Sequence, residues 1–266
     1  MKPVLPTLKD FPRLKIVVQR LRRCLGPAAG VSSDYVTLKT EEADTEADRL
    51  RDAWKADALP ERQRKLVDAQ LAAYRRGEPV AVFDVMIQAL KGLPTNVHGM
   101  SVLEVGCSSG YYSEVLELAG LDIDYVGCDY SEAFINLARR KYPHRHFDVQ
   151  DATALEYGEG DFDIVISGGC LLHIPKYETA IAETARVARS YAIFHRTPVV
   201  LGRPSVYYRK KAYGIETVEI HFNEAQFLEL LSRSGLKLIA TYTLDESLQG
   251  DVGTANRTYV CEKMIA

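Results

Sequence analysis

The chain has 266 residues, a formal net charge of −3, and 47% hydrophobic against 26% charged residues. That length accommodates one full α/β domain and an extension, and the mild acidity excludes a general pull toward nucleic acid or an anionic membrane. The five cysteines, Cys24, Cys107, Cys128, Cys170 and Cys261, form no C-x-x-C pair. This spacing speaks against a disulfide framework or zinc cluster and for reduced thiols.

No apolar run reaches membrane-spanning length, and the opening "MKPVLPTLKDFP" lacks the apolar core of a signal peptide. A cytoplasmic protein without membrane insertion, monomer or homodimer, is the expectation. Leu14, Val17, Val18 and Leu21 then recur at helical spacing among Arg13, Lys15, Arg20, Arg22 and Arg23. Such a segment reads as a solvated basic face over a packed stripe, with a membrane or acidic partner as the rival reading. The spacing predicts a second helix over about Thr45 to Arg76, carrying Trp54, the single tryptophan. Gly77-Glu78-Pro79 breaks it, and Val82, Val85, Met86, Ala89 and Leu90 restart a helical period. Residues 1–98 are thus expected to form a helical extension, a cap or substrate lid, and residues 99–266 the main domain.

After Gly99 the texture changes. Strands are predicted at Ser101–Val105, Tyr125–Cys128, His146–Val149, Phe162–Ser167, Tyr191–His195, Lys237–Thr243 and Thr258–Lys263. Helical patterns fall between most of them, at Tyr112–Ala119, Ala133–Lys141, Tyr177–Val187 and Glu224–Ser234; Asn223 with Gln226 is a capping signal for the last. The alternation implies an α/β fold with a doubly wound, mostly parallel seven-stranded, Rossmann-like sheet. Ligands of such sheets lie beyond the carboxyl ends of the strands, where the strand order reverses.

The first strand runs into "VLEVGCSSGYY". A dinucleotide turn wants G-x-G-x-x-G, and the matching positions are Gly106, Ser108 and Tyr111, so two of three glycines fail. A P-loop lysine is missing as well. What remains is a turn that lets a ligand approach its backbone closely without an anion signature. Asp129 has two readings, ligand-binding carboxylate or helix N-cap, and Ser131 suits the capping task better.

Here the sequence resembles the class I S-adenosylmethionine-dependent methyltransferases, from about Val97 to Ala266. "VLEVGCSSGYYSEVL" is similar to their first motif, which implies that Glu104, Gly106, Cys107, Gly110 and Tyr111 line the cofactor's amino acid end. "YVGCDYSEAFINLAR" is similar to the second; Asp129, 19 residues after Gly110, would hold the ribose hydroxyls, with Tyr130 beside it. "FDVQDATAL" resembles the third, with Asp151 and Ala152 at the adenine edge, and "FDIVISGGCLLHIPKYETAI" the fourth, with Ser167 and Gly168 near the methionine moiety. The implied cofactor is S-adenosyl-L-methionine, and the product S-adenosyl-L-homocysteine. Tyr111, Tyr112 and Tyr130 crowd that pocket, as cation–π partners of the sulfonium or as packing.

Transfer to a hydroxyl needs a base. His173, in "LLHIP", and His195, in "FHRTP", both fall at the carboxyl edge and are the catalytic candidates, each with a packing role as its alternative. Arg196 would hold an anionic group of the acceptor. The segment Pro198–Thr217, with Tyr207 and Tyr208, reads as a substrate lid or a loop without that role. Ser167-Gly168-Gly169-Cys170 departs from the Asp/Asn-Pro-Pro-Tyr/Phe signature of the enzymes that methylate DNA amino groups, and from the aspartate of the metal-dependent catechol type. The expectation is therefore a metal-independent transfer to oxygen, less readily nitrogen, of a small molecule or glycan, with no nucleic acid partner. The rival readings are a non-catalytic S-adenosylmethionine-binding protein and an NAD-dependent oxidoreductase.

Overall fold

The computed structural model describes residues 32–249 and 252–264; the basic stripe around Leu14 to Leu21 lies outside them. The elements are β1 (Ser32–Leu38), α1 (Thr40–Arg49), a 3-10 turn (Ala53–Lys55), α2 (Leu59–Arg75), α3 (Ala81–Lys91), β2 (Ser101–Val105), α4 (Tyr112–Leu118), β3 (Asp124–Asp129), α5 (Glu132–Lys141) and β4 (His146–Val149). They continue with β5 (Phe162–Gly168), a 3-10 turn (Leu171–His173), α6 (Tyr177–Val187), β6 (Ala188–Leu201), β7 (Val206–Ala212), β8 (Ile215–Asn223), α7 (Glu224–Arg233), β9 (Leu236–Gln249) and β10 (Val252–Lys263).

The seven strands expected from the sequence form one continuous run, β4-β3-β2-β5-β6-β10-β9. All neighbours are parallel except β10, which runs antiparallel to both β6 and β9. Strand β2 is buried at four successive positions, Val102 to Val105, as a strand covered on both faces must be. On one face α3 seats Phe83, Met86, Ala89 and Leu90, and α5 seats Ile135 and Ala138, in one apolar cluster with Val102, Ile164 and Ile193. Helix α7 starts where Asn223 Oδ1 accepts the Gln226 amide at 2.8 Å, the cap that the sequence signalled. The strand order reverses beside β2, which pairs with β3 on one side and β5 on the other. The ligand-binding edge of the sheet is therefore the one formed by the ends of β2, β3, β5 and β6.

Two expectations change. Pro198–Thr217 is not an open loop: β6 runs on to Leu201, and β7 and β8 then form an antiparallel hairpin that turns at Tyr213-Gly214. Val218, Ile220 and Phe222 alternate with Thr217, Glu219 and His221, a period of two that marks a strand, and Thr217 to Ile220 are buried on both faces. The end of β8 pairs with β6, and β1 adds to β7, so three strands extend the seven to ten. The helix expected over Thr45–Arg76 is two helices, because Pro60 fits only a first helical turn and α2 begins there. Among the described residues no helix is long and apolar enough to cross a membrane.

Candidate active site

The glycine turn after β2 depends on glycine at two positions. Gly106 (φ +74°) and Gly110 (φ +71°) occupy the left-handed region. A Cβ would stand 2.4 Å from Cys170 Cβ at Gly106, and 2.5 Å from the Phe147 ring at Gly110. The Gly106 and Cys107 amides both donate to the Cys128 carbonyl, at 2.8 and 2.9 Å, tying the turn to the end of β3. There stands Asp129, half-buried, whose Oδ2 accepts the Ser108 amide at 3.0 Å and whose Oδ1 accepts the Ser131 amide at 2.9 Å. Burial pushes its carboxyl up to about 6 against the pull of these two donors. An ionised carboxylate has about four acceptor positions, so capacity remains for a diol. Ser131 occupies the N-cap of α5 but makes no cap bond; its Oγ is buried without a partner.

Behind the turn lies Glu104, 2% exposed, accepting the Tyr125 hydroxyl. Burial, offset in part by Tyr125, raises its carboxyl to about 8. Gly168 backs onto it so closely that a Cβ would stand 2.5 Å from Glu104 Oε1. The Cys107 thiol is buried and pushed up by that burial. Tyr111 and Tyr112 are buried with ring centroids 4.7 Å apart. Ser167 is buried 3.5 Å from Cys170 Sγ. Asp151 is exposed and closes its own turn by accepting from the Thr153 amide and hydroxyl, while Ala152 packs against the apolar interior. The Gln150 amide, donating to the Asp129 carbonyl at 3.1 Å, holds that loop alongside.

The other half of the edge carries both histidines, in different environments. His173 Nδ1 lies 2.7 Å from the Val218 carbonyl, so Nδ1 carries the proton and Nε2 the lone pair. Its ring lies 4.7 Å from that of Trp54, whose indole N–H donates to Thr217 Oγ1 at 2.9 Å. Burial, with Lys210 nearby, lowers the imidazole to about 4. His195 is 1% exposed and has both nitrogens engaged: Nε2 lies 2.8 Å from the Tyr112 hydroxyl and Nδ1 2.8 Å from Thr258 Oγ1. Burial, then Arg196, pushes it well below the usual imidazole range. Of the two, only His173 presents a free nitrogen.

Arg196 is exposed while its strand neighbours on either side are buried. Its stem runs along Gly169, where an added Cβ would lie 3.5 Å from Arg196 Cβ. The guanidinium lies within Coulombic reach of Tyr111, Tyr112, Tyr213 and Glu219, and of Asp245. Burial alone would raise the Glu219 carboxyl, but His221 at 2.8 Å, Lys210 and His173 hold it at about 2. Strand alternation separates the two tyrosines of β7. Tyr208 faces the Glu219 side, 5.0 Å ring to ring from His221; Tyr207 faces the opposite way and joins the apolar cluster under α6.

The segment before α3 crosses both halves. Gln63 accepts the Ser108 hydroxyl, Arg64 donates to Ser109 Oγ at 3.4 Å, and Arg62 donates to the Tyr213 carbonyl at 3.1 Å. The Tyr130 hydroxyl donates to the Arg51 carbonyl at 3.1 Å, and Lys55 stands 5.2 Å over its ring. Gln63, Trp54 and Glu219 are site-facing residues that motif reading did not find, while Lys210 and Tyr213 come from the segment read as a lid. The signal that could have found Glu219 is the alternation of Thr217 to Phe222.

A doubly wound sheet whose reversal point carries a glycine turn beside a strand-end aspartate defines a Rossmann-like nucleoside-binding domain. Residues 103–195 match the family profile described as a methyltransferase domain. A demethylmenaquinone methyltransferase of Renibacterium salmoninarum is 34% identical over 93 residues, 35% of this chain and 38% of that protein. An O-methyltransferase of Penicillium expansum is 28% identical over 159 residues, 57% of each chain. The matches thus span less than two thirds of these curated relatives. Among solved structures, a magnesium protoporphyrin IX methyltransferase from Synechocystis shares the fold with a TM-score of 0.57 at 18% identity, over 82% of this chain and 99% of that one. A cyclase also shares it, with a TM-score of 0.51 at 18% identity, over 69% of this chain and 81% of its own. The match identifies residues 103–195 as a methyltransferase domain, and the sheet around them has the fold of the solved S-adenosylmethionine-dependent methyltransferases.

Proposed function

We propose that this chain transfers a methyl group from S-adenosylmethionine to an oxygen of a small-molecule acceptor, without a metal. The observation that carries the reading is Asp129, a half-buried carboxylate at the β3 end with acceptor capacity to spare, held against the glycine turn by the Ser108 and Ser131 amides. When bound, the cofactor supplies an electrophilic methyl carbon. The protein's task is then to hold the acceptor oxygen in line with it, and positioning of this kind supplies up to roughly 7–11 kcal/mol in favourable systems. Asp129 anchors the ribose, Gly106 and Gly110 allow close approach, and Arg196 with Tyr111 and Tyr213 fixes the acceptor. His173 Nε2 accepts a proton where the acceptor oxygen carries one. Oxygen as the acceptor atom is supported by the O-methyltransferase relative, which shares the longer of the two alignments.

Calorimetric titration with S-adenosylhomocysteine tests this. Wild type binds, Asp129→Ala weakens binding by about 1.5–3 kcal/mol, as loss of hydrogen bonds to a charged group implies, and Asp129→Asn falls between. Absence of binding to wild type, or equal affinity in Asp129→Ala, overturns the reading. A second reading, use of the cofactor without methyl transfer, is favoured by the engagement of both His195 nitrogens and the weak basicity of both histidines. It predicts intact S-adenosylhomocysteine binding with no turnover of labelled donor across an acceptor panel.

A further inference from the structure

The β6–β10 ladder contains an irregularity at the site. Phe194 pairs with Tyr259 and Thr197 with Arg257, so two residues of β6, His195 and Arg196, oppose the single residue Thr258. That count is a β-bulge, a device that re-aims one side chain. Its second residue, Arg196, has φ +57°, in the left-handed region. A non-glycine residue there costs about 1–2 kcal/mol and persists only where its surroundings enforce it. The enforcing contact is visible: His195 Nδ1 meets Thr258 Oγ1 across the bulge at 2.8 Å, and Nε2 meets the Tyr112 hydroxyl at 2.8 Å. His195 and Thr258 are buried to within 1% of complete, as is Tyr112.

Resting on the methyltransferase reading, we propose that Arg196, Tyr111 and Tyr213 form a subsite for a planar carboxylate on the acceptor, and that the buried chain Tyr112–His195–Thr258 positions Arg196 in it. A guanidinium fork matches a carboxylate in two parallel hydrogen bonds. No described carboxylate pairs with it: Glu219 is engaged by Lys210 and His221, and Asp245 stands exposed at the rim. Tyr111 and Tyr213 hold their phenol protons, their ionisation opposed chiefly by burial, and so remain donors. Lys210 is spent on Glu219, so the Arg196 guanidinium faces the acceptor with a single positive charge, which matches a monoanion better than a dianionic phosphate. The acceptor oxygen then brings its own negative charge, and no strong base is required. His195 is in this account a positioning residue, and its burial is what the role needs.

The test is calorimetric titration of the full chain with benzoate, with and without saturating S-adenosylhomocysteine, using benzamide and inorganic phosphate as controls. Wild type binds benzoate and neither control. Arg196→Ala weakens benzoate at least tenfold and Arg196→Lys several-fold, while S-adenosylhomocysteine affinity stays unchanged. Thr258→Val, which removes the anchor of His195 at little change in volume, also weakens benzoate, and Thr258→Ser restores it. Benzoate affinity in Arg196→Ala within twofold of wild type, no benzoate binding by wild type, or phosphate bound as tightly as benzoate would each overturn the proposal. Loss of S-adenosylhomocysteine binding alone counts against the methyltransferase reading, since benzoate is also titrated in its absence.

Discussion

The β2–β3 side and the β5–β6–β8 side of the carboxyl edge are assembled by different means. On the first, Glu104, the glycine turn, Asp129 and Ser131 come from one short stretch of chain, and backbone bonds such as Gly106 N–H to Cys128 O set their geometry. On the second, Trp54 meets a residue 163 positions away, Thr217, and Arg196 is aimed by a histidine that reaches back to Tyr112. An arrangement of the first kind is prefabricated by local structure. An arrangement of the second kind exists only after the sheet, its hairpin extension and the overlying segment have met, and it is tied to the first through Tyr112.

Glu104 gives the largest expected effect and tests whether the local half carries a hidden electrostatic cost. Its folded carboxyl lies at about 8 against an ordinary value of 4.5, chiefly through burial. Below that ordinary value both states hold the proton, and above about 8 both release it. Between them the unfolded chain has ionised while the folded chain has not, so stability falls as pH rises. By pH 7 the cost reaches up to about 3 kcal/mol. Melting temperatures from pH 5 to 8 should therefore fall more steeply in wild type than in Glu104→Gln. Parallel slopes would mean that Glu104 is ionised in the native protein.

Tyr112 joins the two halves, and Tyr112→Phe should break that join. The substitution keeps the ring and leaves a His195 nitrogen without its partner at a 1%-exposed position, for a loss of about 1–3 kcal/mol in urea denaturation. Combined with Thr258→Val, the losses should fall short of additive, because both act through one imidazole. Additive losses would mean that the chain does not act as a unit.

The same contrast explains what was legible in the sequence. The seven strands, the cap at Asn223 and the position of the glycine turn follow from short-range rules of periodicity, capping and steric freedom. The β7–β8 hairpin was missed although Val218, Ile220 and Phe222 alternate, because the neighbouring run of Tyr207, Tyr208 and three cations reads as a loop by composition. The burial of His195 could not be read at all. "FHRTP" looks equally apt for a mouth-lining base and for a buried link, and only the bulge opposite Thr258 separates them. Trp54 carried a signal only as the single tryptophan of the chain, with nothing to name its partner.

Ser131 is the smallest effect and the sharpest check on how far local rules reach. A serine at this position normally bonds an amide in the first helical turn, and its removal costs about 1 kcal/mol. Here the Ser131 hydroxyl is buried without a partner, and its amide is spent on Asp129 Oδ1 instead. The bond that alanine would remove is therefore one the folded state does not make, while the desolvation of the hydroxyl is relieved. Ser131→Ala should be neutral or stabilising by up to about 1 kcal/mol in urea denaturation, with S-adenosylhomocysteine affinity unchanged because Asp129 keeps both amides. A loss near 1 kcal/mol would show that the hydroxyl caps α5 after all. Asp129 would then have less claim to be held for a ligand by design of the turn, since local capping alone would account for the whole arrangement.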